Sequence, residues 1–419
     1  MNQGTTETNW MPRFVRMPWG RSWILLLGPF WWSCDSTTVP LPEARIDFDF
    51  PGASLAYAQA MGGDTYRIGL RDDTNATTKL WFSFRVQEAE GRPVTFRLED
   101  VGTATSHWSY RQPVVSTDDG QSWTRITDTG FDSTTFIFSY TVRSNDDWVA
   151  LSPAYSFARY LALVQELGTH AEVAAITEVG RTLGDEPLHH LEIRSQPQGT
   201  LPAIWAVARQ HPGEPGGSYM IEGFLRWVVS ADPDAVTLRE RAEIHAIPFL
   251  NPDGVLAGNQ RVNLAGLDLN RQWANPTLSE SPSIFWTQKT ITDYRDGGGD
   301  TRILLDFHSA PTARVNFFYY NQEASSTSAL YTEVRALIAE VQSLNGDFVP
   351  LDDNVARTVQ GERVRGWGFT ALQTHGLTVE SSENDVTYGP HNGEQMTPER
   401  LLALGEAVGR GILRELFPG

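Results

Sequence analysis

The first third of the chain alternates apolar and polar positions in short runs with almost no helical periodicity. Arg45–Phe50 and Pro93–Leu98 follow the period of two that is typical of strands, and His107–Tyr110 is predicted to be another strand. Turn formers such as Asp118-Asp119-Gly120 separate the runs. The pattern predicts an antiparallel β-sandwich domain over residues 40–150.

From Ser152 onward, strand and helix patterns alternate, and Ser152-Pro153 is a favourable start for the first helix. The predicted strands are Leu191–Arg194, Ile204–Ala208, Glu243–Leu250, Thr301–Phe307, Val315–Tyr320 and Leu377–Glu380. The predicted helices are Tyr155–Leu167, Gly217–Val229, Ile284–Tyr294, Ser326–Leu344 and Thr397–Leu416. This alternation predicts an α/β domain over residues 151–419, with a mixed, mostly parallel sheet flanked by helices.

The start of the chain has the order of an export signal. Arginines precede the apolar run Trp23–Trp32, and small and polar residues follow it around Cys34. We therefore interpret residues 1–39 as a signal-like or lipoprotein-like leader and linker, with Cys34 as a possible site of lipid attachment. This predicts a periplasmic or membrane-anchored protein. The alternative is a leader without that role in a cytoplasmic protein.

Composition and charge narrow the function classes. The chain of 419 residues has 51 acidic and 33 basic residues and a net charge of −18, which argues against a nucleic-acid partner. A hydrophobic content of 40% is that of an ordinary globular protein. With Cys34 as its single cysteine, the chain can form neither an intrachain disulfide nor a multi-cysteine zinc site.

Two predicted strands end on histidine. The run Ile204–Ala208 leads to His211-Pro212-Gly213-Glu214, and the run Thr301–Phe307 leads directly to His308. Open α/β sheets place their ligands at the carboxyl ends of strands, and imidazole with carboxylate on a stiff turn suits Zn²⁺. Either stretch alone is better read as structural, but together they favour a metal site.

Three further stretches carry candidate chemistry. The strand Leu377–Glu380 ends on a carboxylate, which could be a general base or simply a solvated side chain. After the turn Asn251-Pro252-Asp253-Gly254, Arg261 and the pair Asn270-Arg271 could bind a carboxylate or stabilise an oxyanion. Solvated surface arginines are the alternative interpretation.

Together these motifs, in this order, resemble the zinc metallocarboxypeptidase family over about residues 150–419. The region before it, with Trp81-Phe82-Ser83-Phe84 and Ser116–Trp123, is similar to the amino-terminal domain of the cytosolic carboxypeptidase subfamily, of which bacterial relatives exist. The resemblance implies an exopeptidase that binds one Zn²⁺ ion and acts on the carboxyl termini of peptides or proteins. It leaves the oligomeric state open.

Residue by residue, the resemblance implies His211, Glu214 and His308 as the zinc ligands, the His₂Glu set of carboxypeptidase A. It implies Glu380 as the base that takes a proton from water and passes it to the leaving amine. Arg261 would stabilise the oxyanion of the scissile carbonyl.

Other parts of the substrate would meet a second group of residues. Asn270 and Arg271 would hold the terminal carboxylate. The family's digestive members carry a tyrosine before the catalytic glutamate, but Arg357–Val364 contains none, so we assign no such role.

The terminal side chain of the substrate has two candidate partners. In the family, the loop before the catalytic glutamate lines the pocket for that side chain, and here it carries Arg363 and Arg365. We therefore predict a preference for acidic terminal residues such as Glu, although a solvated loop explains either arginine alone.

Two other functions remain to be weighed against the peptidase. One is an acylase-type zinc amidohydrolase of the same fold that acts on N-acyl amino acids. The other is a non-catalytic binding module, which would lack a ligand or the late glutamate. The β-rich domain and the complete set of motifs favour the carboxypeptidase, which would cleave a peptide or isopeptide bond.

Overall fold

A computed structural model of the protein describes residues 43–99, 101, 106–196, 201–350 and 356–418. The predicted leader and its Cys34 lie outside these residues. No helix in the described part of the chain is long and apolar enough to cross a membrane.

A sandwich of two five-stranded sheets forms the amino-terminal region. Its strands are β1 (Arg45–Asp47), β2 (Tyr57–Gly62), β3 (Thr65–Gly69), β4 (Ser83–Gln87), β5 (Pro93–Leu98), β6 (Val114–Ser116), β7 (Thr124–Arg125), β8 (Asp128–Phe131), β9 (Phe136–Thr141) and β10 (Asp146–Ala150). One sheet has the order β1-β4-β10-β6-β7, and the other has the order β2-β3-β5-β9-β8. Neighbouring strands are antiparallel apart from the parallel pair β3 and β5.

Aromatic side chains fill the space between the two sheets, as the alternating pattern requires. Phe84 of β4 lies 4.9 Å from Phe96 of β5, and Phe96 lies 5.1 Å from Phe138 of β9, measured between ring centroids. All three are fully buried. Buried aromatic pairs at such distances add to the stability gained from the hydrophobic effect.

The α/β region contains strands β11 (Val173–Arg181), β12 (Pro187–Ile193), β13 (Ala203–Ala208), β14 (Glu243–Ile247), β15 (Thr301–Ala310), β16 (Phe317–Asn321), β17 (Ala356–Arg357) and β18 (His375–Ser382). Its helices are α1 (Phe157–Leu167), α2 (Pro215–Val228), α3 (Pro233–Arg241), α4 (Pro252–Leu256), α5 (Pro282–Asp296), α6 (Ser328–Leu344), α7 (Val364–Leu372) and α8 (Pro398–Leu416). The fold is therefore mixed α/β, as predicted.

The strand order of the large sheet is β11-β12-β14-β13-β15-β18-β16-β17. The central strands β14, β13, β15 and β18 run parallel, and antiparallel pairs flank them. Ala208 is in register with Phe307, and His308 is in register with Glu380. The carboxyl ends of three neighbouring strands therefore bring the predicted site residues to one edge of the sheet.

Both faces of this sheet are covered by helices, which explains why β13 is apolar at every position. Ile204 and Ala206 face the core formed with α1, α2, α6 and α8. Trp205 and Val207 face the opposite core, formed with α5 and α7. Alternate residues of one strand thus belong to different cores, as strand geometry dictates.

Two local predictions were wrong. Ser106–Tyr110 is a short 3₁₀ helix instead of a strand, and its Trp108 donates a hydrogen bond to the Val101 carbonyl at 3.0 Å. The first helix begins after Ser156, whose hydroxyl accepts from the Arg159 amide, and not after Ser152. In both segments a residue is buried in the interior, Trp108 in the first and Ser152 in the second, and tertiary packing outweighs the local pattern there.

The segment before the Glu380 strand also differs from the predicted loop. From Val364 it forms α7, so Arg363 lies at the helix start and Arg365 in its first turn. The helix was not predicted because its two glycines, Gly366 and Gly368, have low helix propensity. Packing requires the first of them, because a Cβ on Gly366 would lie 1.9 Å from the Gln360 carbonyl oxygen.

The β-sandwich contacts the α/β region through buried polar groups. Arg125 donates hydrogen bonds to the carbonyls of Glu383 (3.2 Å) and Met396 (2.8 Å). Arg111 donates to the Pro311 carbonyl at 2.8 Å. These bonds satisfy carbonyls close to the ends of β15 and β18, and so tie the sandwich to the edge that carries the site residues.

Candidate metal centre

The structure brings His211, Glu214 and His308 together. Each offers a nitrogen or oxygen atom, and these atoms all lie within 4.8 Å of one another. Nδ1 of His211 lies 2.8 Å from Glu214 Oε1, and Nδ1 of His308 lies 2.8 Å from Glu214 Oε2. Among the residues that the structure describes, these three side chains form the one group of at least three His, Cys, Asp or Glu residues that could hold a metal ion.

The prolines and glycines of this stretch set the geometry. Pro215 is the first residue of α2, and Glu214 is the residue before it. The turn packs so closely that a Cβ on Gly213 would lie 2.4 Å from the Gln260 side-chain oxygen. At Gly217, a Cβ would lie 2.5 Å from the Phe307 carbonyl oxygen. A side chain at Gly217 would push α2 away from β15 and separate Glu214 from His308, and one at Gly213 would collide with Gln260.

A carboxylate holds the outer nitrogen of each imidazole. His211 Nε2 lies 3.0 Å from Asp268 Oδ1, and His308 Nε2 lies 2.9 Å from Asp306 Oδ2. Such contacts fix the ring orientation and leave Nδ1 as the donor atom, which is the arrangement common at zinc sites. Two imidazoles and one carboxylate facing one point therefore fit one Zn²⁺ ion.

Neither Asp268 nor Asp306 was predicted. Asp306 could have been found, because residues two apart in a strand share a face and so it lies beside His308. Asp268 opens the Asp-Leu-Asn-Arg stretch, and its contact with His211 depends on tertiary structure.

Charge within the centre is balanced by the two histidines. Burial alone would raise the pKa of Glu214, but the imidazoles of His211 and His308 outweigh it and hold this pKa well below its usual range. Glu214 is thus ionised, the form that binds a metal.

Glu380 lies beside the candidate ligands on β18. It is in register with His308, is half-buried and has no hydrogen-bond partner among the residues that the structure describes. Burial raises the pKa of its carboxyl to about 8, against the opposing effect of the His308 imidazole. A nearby dication would lower this pKa towards neutrality, where a general base works best.

Arg261 lies at the same edge and shares a carboxylate with His211. Its Nε donates to Asp268 Oδ2 at 2.9 Å, while Asp268 Oδ1 contacts His211. Its backbone is held from the β-sandwich: the amides of Gln260 and Arg261 donate to Asp73 at 2.6 and 2.7 Å. Asp73 is a further residue that the sequence did not reveal.

Asn270 and Arg271 follow Asp268 in a short 3₁₀ turn. Asn270 Nδ2 lies 3.4 Å from His308 Nε2, and its buried Oδ1 has no partner within the described chain. Arg271 Nη1 donates to the Asn270 carbonyl at 2.8 Å, and the same nitrogen lies 3.8 Å from Asp268 Oδ2. Asn270 therefore lies beside the candidate metal centre, and Arg271 lies next to it in the same turn.

Arg363 lies immediately before α7, and Arg365 lies in the first turn of this helix. Burial lowers the pKa of Arg363, and the nearby positive charge of Arg271 lowers it further. Arg365 is 3% exposed, and its Nη2 donates to Gln360 Oε1 at 3.2 Å.

Two family profiles match the chain. The profile described as zinc carboxypeptidase matches residues 160–349, and the profile described as cytosolic carboxypeptidase N-terminal domain matches residues 46–152. The chain belongs to the zinc carboxypeptidase family. It is a zinc metallocarboxypeptidase, a hydrolase of peptide bonds, with the amino-terminal domain of the cytosolic carboxypeptidases, and the amidohydrolase alternative is not favoured.

Relatives agree with this assignment. Cytosolic carboxypeptidase 6 of Caenorhabditis elegans is 26% identical over 406 residues, covering 88% of this chain and 85% of the relative. Several longer animal cytosolic carboxypeptidases are covered over less than two thirds of their own length.

Two solved structures are similar to this carboxypeptidase. The metallo-carboxypeptidase from Burkholderia cenocepacia has a TM-score of 0.81 at 23% identity and covers 90% of this chain and 99% of that one. The metallo-carboxypeptidase from Pseudomonas aeruginosa has a TM-score of 0.79 at 25% identity, with 89% and 99% covered.

The contact of Asp73 with the Arg261 backbone gives a first prediction. We expect Asp73→Ala to lower the kcat of this carboxypeptidase about tenfold while bound zinc is unchanged, because buried amides lose their acceptor and Arg261 shifts. Steady-state kinetics and metal analysis of the same preparation measure both. Asp72→Ala, at the exposed neighbouring position, is the control and should match the unaltered protein. An Asp73→Ala protein with unaltered kcat would contradict the positioning role.

Proposed function

We propose that this carboxypeptidase removes acidic residues, glutamate above all, from the carboxyl termini of peptides or proteins. The observation that carries the proposal is Arg365. This guanidinium is buried, its Nε has no partner, and no carboxylate of the described chain lies within 4 Å of it. A buried cation of this kind is costly unless an anion arrives to pair with it.

The surroundings of Arg365 support a binding role. Burial, reinforced by the positive charges of Arg363 and Arg357, lowers its pKa to about 10, so the group remains a cation at neutral pH. The negative charge of Asp306, which contacts His308, partly offsets this effect. A carboxylate side chain entering here would relieve the mutual repulsion of the arginines.

In the proposed reaction, His211, Glu214 and His308 would hold one zinc ion, which when bound polarises the scissile carbonyl and acidifies water. Glu380 would take a proton from the attacking water and deliver it to the leaving amide nitrogen. Its carboxylate is suited to this because no hydrogen bond occupies it.

Arg261 would stabilise the developing oxyanion. Asp268 binds its Nε and also contacts His211, so the guanidinium has a fixed position relative to the ligand. Asn270 and Arg271 would bind the terminal carboxylate, the Asn270 amide with its Nδ2 and the guanidinium with its free N–H groups. Such a clamp restricts cleavage to the last peptide or isopeptide bond.

The Pseudomonas aeruginosa relative was solved in complex with (2-guanidinoethylmercapto)succinic acid. Succinic acid contains two carboxyl groups, as does a terminal glutamate. The same compound also carries a cationic guanidino group, so it resembles a basic terminal residue as much as an acidic one, and the acidic preference proposed here rests on Arg365. Lipid attachment at Cys34 and export of the chain stay proposals based on the leader sequence alone.

A peptide panel tests the acidic preference. Among peptides that differ only in a terminal Glu, Lys or Phe, the unaltered enzyme should cleave the Glu peptide fastest. Arg365→Gln should lower kcat/KM for the Glu peptide by about 30-fold or more. The Phe peptide should be affected little, because it makes no ion pair. Arg363→Gln shows which arginine dominates, and Arg414→Gln, at an exposed position of α8, is the control. Faster cleavage of the Lys or Phe peptide by the unaltered enzyme would overturn the proposal.

A further inference from the structure

A second cavity, of about 470 Å³, lies beneath α5 and is separate from the metal centre in its lining residues. Its walls come from β11, β12, β13 and α5. The lining side chains used below are His190, Glu192, Trp205, Lys289, Asp293 and Tyr294. None of them has a role in the proposed reaction.

Two stacked histidines connect the cavity to a buried carboxylate. Glu243 Oε2 lies 3.4 Å from His245 Nε2, and His245 Nδ1 lies 3.0 Å from His190 Nε2. Burial lowers the pKa of both imidazoles to about 3, so both are neutral. The carboxylate must accept from His245 Nε2–H, and therefore His245 Nδ1 accepts from His190 Nε2–H.

This sequence of bonds leaves His190 Nδ1 as an acceptor towards the cavity. Glu192, two residues further along β12 and so on the same face, has its Oε1 3.9 Å from this nitrogen. Two acceptors at this separation can both be reached by the diverging N–H groups of one ammonium nitrogen. Arg194 contacts the other oxygen of Glu192 at 3.5 Å and leaves Oε1 available.

A donor lies beside this acceptor pair. Trp205 is fully buried against His190, with a ring-centroid distance of 5.2 Å, and lines the cavity. Its indole Nε1–H has no partner within the described chain. An unpaired buried donor is unfavourable, and an acceptor on a ligand would satisfy it.

The electrostatic setting favours a cation. Lys289, the cation of the α5 wall, is paired with Asp293 at 2.6 Å. The ring of Tyr294 adds an aromatic wall, and such faces attract ammonium groups. The net charge of −18 adds a long-range attraction.

We propose that this cavity binds a small organic ammonium compound that also carries a neutral hydrogen-bond acceptor. The ammonium group lies between His190 Nδ1 and Glu192 Oε1, and the acceptor meets Trp205 Nε1. The site is thus opposite in charge preference to the arginine-rich substrate site.

Three compounds of similar size test the proposal: 3-amino-1-propanol, 1,3-propanediol and 3-hydroxypropanoate. Saturation-transfer NMR and calorimetry with the zinc-loaded full chain should detect binding of the aminoalcohol but not of the diol or the acid. Glu192→Gln should weaken binding about tenfold or more, because the charged acceptor is lost. Arg194→Gln should strengthen it, because the competing cation is removed from the same carboxylate.

Glu178→Gln, on exposed β11 and outside the cavity, is the matched control and should bind like the unaltered chain. Equal binding of all three compounds, or no effect of Glu192→Gln on aminoalcohol binding, would overturn the proposal. The proposal would also be overturned if the unaltered chain bound a second equivalent of zinc and Glu192→Gln lost it, because the cavity would then be a metal site.

Discussion

Replacing Glu380 with glutamine is expected to lower kcat by about 10²- to 10⁴-fold while zinc stays bound. Glutamine has nearly the same shape and fills the same half-buried space beside His308, but it cannot accept the proton of the attacking water. The ligands His211, Glu214 and His308 are untouched, so the metal content should not change. Single-turnover kinetics and metal analysis of one preparation separate the two effects.

Glu383 is the matched control for Glu380, because it is a second buried carboxyl group just after β18. Burial raises its pKa to about 7, but its oxygens are bonded to the hydroxyls of Ser309 (2.5 Å) and Ser152 (3.0 Å). Because both oxygens are occupied, Glu383→Gln should keep most of the turnover. Activity in Glu380→Gln, or an equal loss in a folded Glu383→Gln protein, would refute the assignment of the base.

The site residues that sequence could predict share a local signature. His211, His308 and Glu380 each follow or close an apolar run, and each lies within three residues of the carboxyl end of β13, β15 or β18, at one edge of the sheet. The apolar runs locate these strands from local sequence, although β15 and β18 continue to Ala310 and Ser382, beyond the predicted ends. The three positions therefore converged as predicted.

The positioning carboxylates could not be predicted in the same way. Asp73 is 187 residues before Gln260, and Asp268 is 57 residues after His211, so no local pattern links either pair. Only the packing of the sandwich against the α/β region brings Asp73 to the Arg261 backbone. The consequence is functional: the sandwich orders a residue of the site and does not merely precede it.

Missed secondary structure has the same origin. The amino-terminal turn of α7 carries Arg363 and Arg365 but includes Gly366, so intrinsic propensity opposed a helix that tertiary contacts impose. Ser106–Tyr110 alternates like a strand, yet burial of the large Trp108 ring decided its conformation. Local rules failed where one buried contact outweighed propensity.

The metal centre gives the second large effect. His308→Gln is expected to remove zinc and activity together, because the variant loses one of three protein ligands and leaves Glu214 buried with a single imidazole. Asp306→Asn should have a smaller effect, a loss of about 10- to 100-fold in zinc affinity, since it only loosens the ring of His308. Competition with a chelator of known affinity measures both.

His375→Gln is the matched control, because His375 is also buried in a central strand but contacts Glu333 and no ligand. Its zinc affinity should equal that of the unaltered enzyme. The test is the order of the three variants: zinc affinity should be lowest for His308→Gln, intermediate for Asp306→Asn and unchanged for His375→Gln. A variant lacking His308 that still retains one zinc ion would mean that the ligand set is wrong. An effect of His375→Gln as large as that of Asp306→Asn would mean that general strain in the sheet, and not imidazole orientation, governs metal binding.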